Sequence, residues 1–294
     1  MFEYDHLAPL QVAQAGAVQQ DGAWVHEISY QSPMGGRVEA YLVMPDQGVG
    51  PFAGLLYMHP GQGSKSTYLA EAVVLAGAGI ASLLIDAPYL RPEYRLWGAG
   101  HLPTANEEAD LYRQLVLDLR RGVDLLAIRP DVDAARIGYV GHSLGATWGG
   151  PLAAAERRIR AFVLMAGFGS LTEWYRHGDH PLAARFRSRF ESEEQMESYL
   201  AVLAPMDAVA HIGQAQGAAF FFQNVHEDPF VPIEEAVRYV TAAPEPKIAR
   251  WYDGDHLFTG LVRARLDRAR WLAERLELGS LPPAVAARLE GLQP

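Results

Sequence analysis

Two kinds of hydrophobic pattern alternate along this chain. Trp24–Tyr30 and Arg37–Met44 place apolar and polar residues in turn, and the Ser32-Pro33-Met34-Gly35-Gly36 stretch between them has turn chemistry, so an antiparallel hairpin is predicted. Phe52–Met58 is instead a continuous apolar run, the pattern of a strand covered on both faces. Ile80–Ile85, Ile159–Met165 and Ala218–Asn224 read as further buried strands, and Lys247–Tyr252 as the last. Helical spacing fills the intervals. It runs from about Ser66 to Ala78, over Asn106–Ile128 (Leu111, Leu115, Leu119, Val123, Leu126), over Ile233–Thr241 and over Leu257–Leu276. Strand alternating with helix predicts an α/β fold: a mostly parallel sheet with helices on both faces.

The alternation is interrupted in three places. Residues 1–24 are poorly periodic and read as a leading segment on the surface with one short helix. Residues 166–216 are rich in aromatics and end in an acidic, helix-like run from Glu191; they read as a small cap of one to three helices inserted into the core. The core is then 25–165 and 217–276, and 277–294 is a peripheral tail. With 294 residues, 49% of them apolar, one α/β domain of this kind can bury a large core. A formal charge of −10 argues against nucleic acid or an anionic membrane as partner. No apolar run reaches the roughly eighteen residues of a membrane span, and the N-terminus lacks signal-peptide features, so a cytoplasmic protein is expected. Cysteine is absent, which excludes disulfides, thiolate metal sites and a cysteine nucleophile. His177, Asp179 and His180 lie close together but lack a further ligand at metal spacing, so no metal or cofactor is expected.

The stretch with most chemical content is Arg136-Ile-Gly-Tyr-Val-Gly-His-Ser-Leu-Gly145, a short apolar strand leading into G-x-S-x-G and a helix. This is the pattern of a nucleophile elbow, in which flanking glycines let Ser143 take a tight turn and hold its hydroxyl above the sheet. A serine hydroxyl needs a base within hydrogen-bond reach and a third group to orient that base. In such a chain the acid and then the histidine follow the serine, each in a loop after a strand. Asp228 stands just past the strand ending at Asn224, and His256 stands directly before the last helix. Glu227 and His226 are local rivals, Asp86 is a more distant one, and His142 is expected behind the nucleophile. The Leu144 amide at the helix start is one candidate oxyanion donor, and Gly61 or Gln62, in His59-Pro-Gly-Gln-Gly63, offers the second. A phosphate loop is a poor alternative for that turn, because it lacks the G-K-[ST] and full G-x-G-x-x-G spacings.

Taken together, His59-Pro-Gly-Gln-Gly-Ser-Lys65, Asp86-Ala-Pro-Tyr89, Gly141-His-Ser-Leu-Gly145, Asp228-Pro-Phe-Val-Pro232 and Gly254-Asp-His256 resemble the α/β-hydrolase superfamily. Within it, the chain is similar to dienelactone-hydrolase-like, acetyl-xylan-esterase-like or acyl-peptidase-like serine hydrolases over about residues 25–276. The resemblance implies Ser143 as nucleophile, Asp228 as acid, His256 as base, and Leu144 with Gly61 as amide donors. Two departures stand out: the oxyanion loop opens with His59-Pro60 where the family has His-Gly, and without cysteine the chain is no dienelactone hydrolase in the strict sense. The implied activity is hydrolysis of a small or short-acyl carboxylic ester, with peptide, thioester or lactone cleavage by the same triad as alternatives. A non-catalytic binding protein on this fold is a further alternative, which the intact triad disfavours. Tyr89, Trp97, Trp148, Trp174 and Tyr175 are candidates to line the substrate pocket. Homodimerisation is compatible with the implied fold, although no feature of the sequence specifies it.

Overall fold

A computed structural model describes residues 1–92, 94 and 102–293. The chain opens with three antiparallel strands, β1 (Ala13–Gln20), β2 (Ala23–Gln31) and β3 (Arg37–Pro45). It then alternates: β4 (Phe52–Met58), α1 (Leu69–Ala76), β5 (Ile80–Ile85), α2 (Ala105–Ala127), β6 (Val132–His142), α3 (Leu144–Ala155) and β7 (Ile159–Met165). An excursion follows through α4 (Leu171–His177), α5 (Pro181–Arg187), α6 (Glu193–Leu203) and α7 (Ala208–His211). The alternation resumes with β8 (Ala219–Val225), α8 (Ile233–Ala242), β9 (Lys247–Tyr252) and α9 (Val262–Arg275), and α10 (Pro283–Gly291) comes last.

The nine strands form one sheet in the order β1-β2-β3-β5-β4-β6-β7-β8-β9, parallel from β5 through β9. The strand pleat explains the layers. Leu55 and Tyr57 point to one face and pack with α1 and α9 through Val74 and Leu272. Leu56 and Met58 point to the other and pack with α2 and α3 through Leu115 and Trp148. Both faces of β4 are thus covered, which is why its sequence is apolar without alternation. The order also reverses at β4, with β5 on one side and β6 on the other. In open α/β sheets a crevice forms at the carboxyl ends of the strands around such a reversal.

The predicted hairpin is β2 and β3, paired in continuous register from Ala23–Pro45 to Gln31–Arg37. The leading segment differs from expectation: Ala13–Gln20 is an edge strand, not a short helix. Every residue of β1 is exposed, so no buried face imposed an alternation that the sequence could display. Residues before it are tied to α2 by arginines: Arg113 donates to the Met1 carbonyl at 2.8 Å, Arg120 to that of Phe2 and Arg121 to that of Ala8. The excursion between β7 and β8 holds four short α-helices, one more than the largest number expected. Ser170, His180 and Ser192 each accept a backbone N–H at the start of one of them and so cap these helices. At the other end of the chain α10 is docked rather than loose: Val285 and Leu289 are buried, and Arg265 donates to the Leu289 and Leu292 carbonyls at 2.8 and 2.9 Å.

One buried ion pair ties two of the helices on a single face of the sheet. Arg268 of α9 donates through Nε to Glu71 Oε1 of α1 at 2.9 Å and through Nη2 to Oε2. Both side chains are at most 5% exposed. Removing one member of such a pair strands a charge in the core, whereas replacing both with apolar residues does not. Glu71→Ala is expected to lower the unfolding free energy by about 3–5 kcal/mol in urea titrations, and Glu71→Leu combined with Arg268→Leu to restore most of it.

Candidate active site

β6 ends at His142 and α3 begins at Leu144, so Ser143 alone carries the chain from strand to helix. It does so at φ 53° and ψ −113°, a conformation that costs a residue other than glycine about 1–3 kcal/mol. The flanking glycines are required by close approach. A Cβ on Gly141 would stand 2.5 Å from the Gly145 carbonyl oxygen, and one on Gly145 would stand 2.4 Å from that of Met58 in β4. The turn is pinned from two further sides, Ser143 N–H donating to Met165 O at 2.7 Å and Tyr139 Oη–H to Gly145 O at 2.6 Å.

Above this turn three side chains from three strand ends meet. Ser143 Oγ lies 2.8 Å from His256 Nε2, and His256 Nδ1 lies 2.7 Å from Asp228 Oδ2. A carboxylate can only accept, so Nδ1 carries the ring proton and Nε2 offers its lone pair to the serine hydroxyl. The other Asp228 oxygen accepts from the N–H groups of Phe230 and Val231 at 2.8 and 3.0 Å, which fixes the carboxylate in its loop. The His256 and Asp228 side chains are 7% and 3% exposed, so the pair works largely out of water. Such a line can take a proton from the serine as the oxygen attacks a carbonyl carbon.

The comparisons with known proteins bear on this arrangement. The model of the prolyl oligopeptidase family matches residues 107–251. The 2,6-dihydropseudooxynicotine hydrolase of Paenarthrobacter nicotinovorans is 25% identical over 246 residues, 81% of this chain and 62% of that protein. An uncharacterized protein of Mycobacterium tuberculosis is 32% identical over 207 residues, 68% of this chain and 60% of its own length. The chain therefore spans only about three fifths of either relative. An acetyl xylan esterase from Paenibacillus sp. R4 superposes with a TM-score of 0.78 at 22% identity, covering 91% of this chain and 89% of that one. The chain has the α/β-hydrolase fold.

The remaining candidates divide by position. His59 is a structural hydrogen-bonder: its Nε2 accepts from Ala87 N–H at 3.1 Å and its Nδ1–H donates to Pro60 O at 2.7 Å. Burial lowers its pKa, so the ring is neutral in this role. The Gly61 backbone lies against the elbow, since a Cβ there would reach 3.0 Å from Leu144 Cδ1. Asp86 is not part of the Ser143–His256–Asp228 line; it accepts from Lys65 N–H at 2.6 Å, just past the Gly61–Gly63 loop. Tyr89 packs edge-on against His59 and donates to Pro60 O at 3.4 Å. Trp148 is 1% exposed and lies against Tyr112 in the core between α2 and α3, which removes it from the pocket candidates. Trp97 falls outside the described residues, as does His101.

Trp174 and Tyr175 belong to an aromatic layer of the β7–β8 excursion. Tyr175 is stacked on Phe186 at 3.9 Å and donates to Glu108 at 3.3 Å. Trp174 leads by way of His180 (6.1 Å) and Phe230 (4.3 Å further) to the His256 ring, 4.7 Å from Phe230. Phe230 and His180 were not singled out for this place. The only sequence signal for Phe230 is its position two residues after Asp228, and for His180 there is none. No group of three metal-ligating side chains occurs among the described residues. A surface cleft of about 620 Å³ lies at the opposite end of the sheet against Asp46, Phe52, Gly79 and Arg136, and it holds no triad residue.

The elbow's packing gives a direct test. Gly145→Ala forces a methyl into the Met58 carbonyl, with an expected loss of about 3 kcal/mol or more in urea unfolding. Gly16→Ala in β1, where nothing lies within 4 Å, should stay within about 0.5 kcal/mol of the parent.

Proposed function

We propose that the protein is a serine hydrolase that cleaves a carboxylic ester of a small or short-acyl substrate through an acyl-enzyme. The observation that carries this reading is the hydrogen-bonded line from Ser143 Oγ through His256 to Asp228, at 2.8 and 2.7 Å. Ser143 Oγ attacks the ester carbonyl while His256 Nε2 accepts its proton, and the imidazolium that forms is held by Asp228. The oxyanion of the tetrahedral intermediate is met by the Leu144 amide at the start of α3 and by the Gly61 or Gln62 amide. Collapse of the intermediate breaks the ester C–O bond, and His256 returns the proton to the leaving alcohol. Water, deprotonated by the same nitrogen, then releases the acid and restores Ser143.

Small substrates are favoured by the aromatic layer. With Trp174, His180 and Phe230 reaching the base, we read residues 166–216 as a cap that closes one side of the cleft and leaves room for a short acyl group. The esterases among the structural neighbours point the same way, and the prolyl oligopeptidase match makes peptides the first alternative.

Purified protein should hydrolyse p-nitrophenyl acetate and butyrate faster than the octanoate, and a fluorophosphonate should label Ser143. Ser143→Ala should lower kcat by at least about a thousand-fold, and Asp228→Asn by about ten-thousand-fold. Turnover surviving in Ser143→Ala would rule the mechanism out. A faster octanoate would rule out the short-acyl pocket, and a labelled serine without ester turnover would move the search to peptides, thioesters and lactones.

A further inference from the structure

His142, the residue before the nucleophile, faces away from the substrate side. It is 1% exposed, and each ring nitrogen has a partner: Nε2 lies 2.7 Å from the main-chain carbonyl oxygen of His256, and Nδ1 lies 2.8 Å from Tyr68 Oη. We propose that His142 is a positioning residue for the base, its Nε2–H bond to the His256 carbonyl holding the loop that presents the His256 ring to Ser143 and Asp228. This rests on the triad reading above.

The proton positions follow from the partners. A carbonyl oxygen only accepts, so the His142 proton is on Nε2. Burial first, and then the neighbouring His256, lower the pKa of His142 to about 3, so the ring is neutral and Nδ1 bare. Tyr68 must then be the donor to Nδ1. Burial raises the Tyr68 hydroxyl well above its ordinary value and keeps that proton in place. Around the ring stand His256 at 5.4 Å and Phe258, edge-on, at 5.6 Å, with Arg268 and Asp228 acting through their charges.

The loop that carries His256 needs such a tie. It runs from Asp253 to Leu261, contains Gly254 and Gly260, and turns at Phe258 with a positive φ of 59°. Both His256 ring bonds demand placement to a fraction of an ångström, and a misplacement of about 1 Å in a catalytic group can cost a hundred-fold in rate. His142 also joins parts of the site that are distant in sequence. It is continuous with Ser143 at the elbow, it bonds the base loop, and through Tyr68 it reaches the residue that begins α1, just after the Gly61–Gly63 loop. A single neutral imidazole therefore ties the nucleophile turn and the base loop to the start of α1.

Two amide substitutions separate the bonds. His142→Asn places a polar atom near Nδ1 and keeps the Tyr68 contact but not the bond to His256; His142→Gln reaches the Nε2 position and keeps that bond. On p-nitrophenyl acetate, His142→Asn should lower kcat about 30–100-fold with KM little changed, and His142→Gln should stay within about fivefold of the parent. The acid limb of kcat/KM should move to lower pH in His142→Asn, because Asp228 loses its hold on the imidazolium, and should stay in place in His142→Gln. Equal losses in both variants, or parental kcat and pH limb in His142→Asn, would overturn the proposal. Nitrogen-15 NMR of histidine-labelled protein reads the same bond without substrate: the neutral Nε2–H form of His142 down to about pH 5 is expected, and the Nδ1–H form would overturn the proposal. An inactive parent protein showing the expected form would count against the esterase reading and in favour of the tie.

Discussion

Gly145 sits so close to β4 that a methyl on its α-carbon would stand 2.4 Å from the Met58 carbonyl oxygen. This contact between the start of α3 and the end of β4 governs the architecture of the site. It draws the helix up to the sheet, forces the whole turn onto Ser143 and leaves that residue at φ 53°. The strain is held because both sides of the turn are locked, by the Tyr139 hydroxyl on Gly145 and by the Met165 carbonyl on Ser143 N–H. The rest of the cleft is arranged around that point: the Gly61 loop leaves the end of β4, and the Asp228 and His256 loops leave the ends of β8 and β9.

Carboxylates keep these loops in register, and three of them are oriented by the partners they hold. Asp228 spends one oxygen on two backbone N–H groups and the other on His256. Asp86 closes the Gly61 loop through Lys65 N–H. Glu108 in the first turn of α2 accepts hydroxyls from Tyr112, Tyr175 and Tyr199, two of which belong to the β7–β8 excursion. Burial, followed by the nearby carboxylate, raises all three phenols, so each remains a donor to Glu108. That carboxylate binds the excursion to the core helix beneath it, and Arg189 adds a cation over Phe186 and Tyr199.

Some of this was legible in the chain because it obeys local rules. Continuous apolar runs such as Phe52–Met58 occur where both faces of a strand are covered, and glycines two residues to either side of a serine occur where a Cβ has no room. The order serine, acid, histidine, each just past a strand, picked out Ser143, Asp228 and His256 before any distance was known, and the structure brings these three within hydrogen-bond reach. The edge strand Ala13–Gln20 was not legible, since an element exposed on both faces carries no periodic mark. Nor were the number and starting points of the short helices after β7, because Ser170, His180 and Ser192 act as caps only once a backbone N–H is near.

What the sequence by itself determined is the layered α/β plan and the residues proposed to react, because close packing and nucleophile chemistry each admit few residue types. The tertiary structure alone decided which aromatic residues surround those groups. Trp148 and Trp174 look alike in sequence, yet one is sealed between α2 and α3 while the other joins a chain of rings to His256. It also decided what His142 does, for its two bonds reach Tyr68, 74 residues away, and His256, 114 residues away. Contacts across such separations depend on how the sheet brings strand ends together, and no local pattern records them.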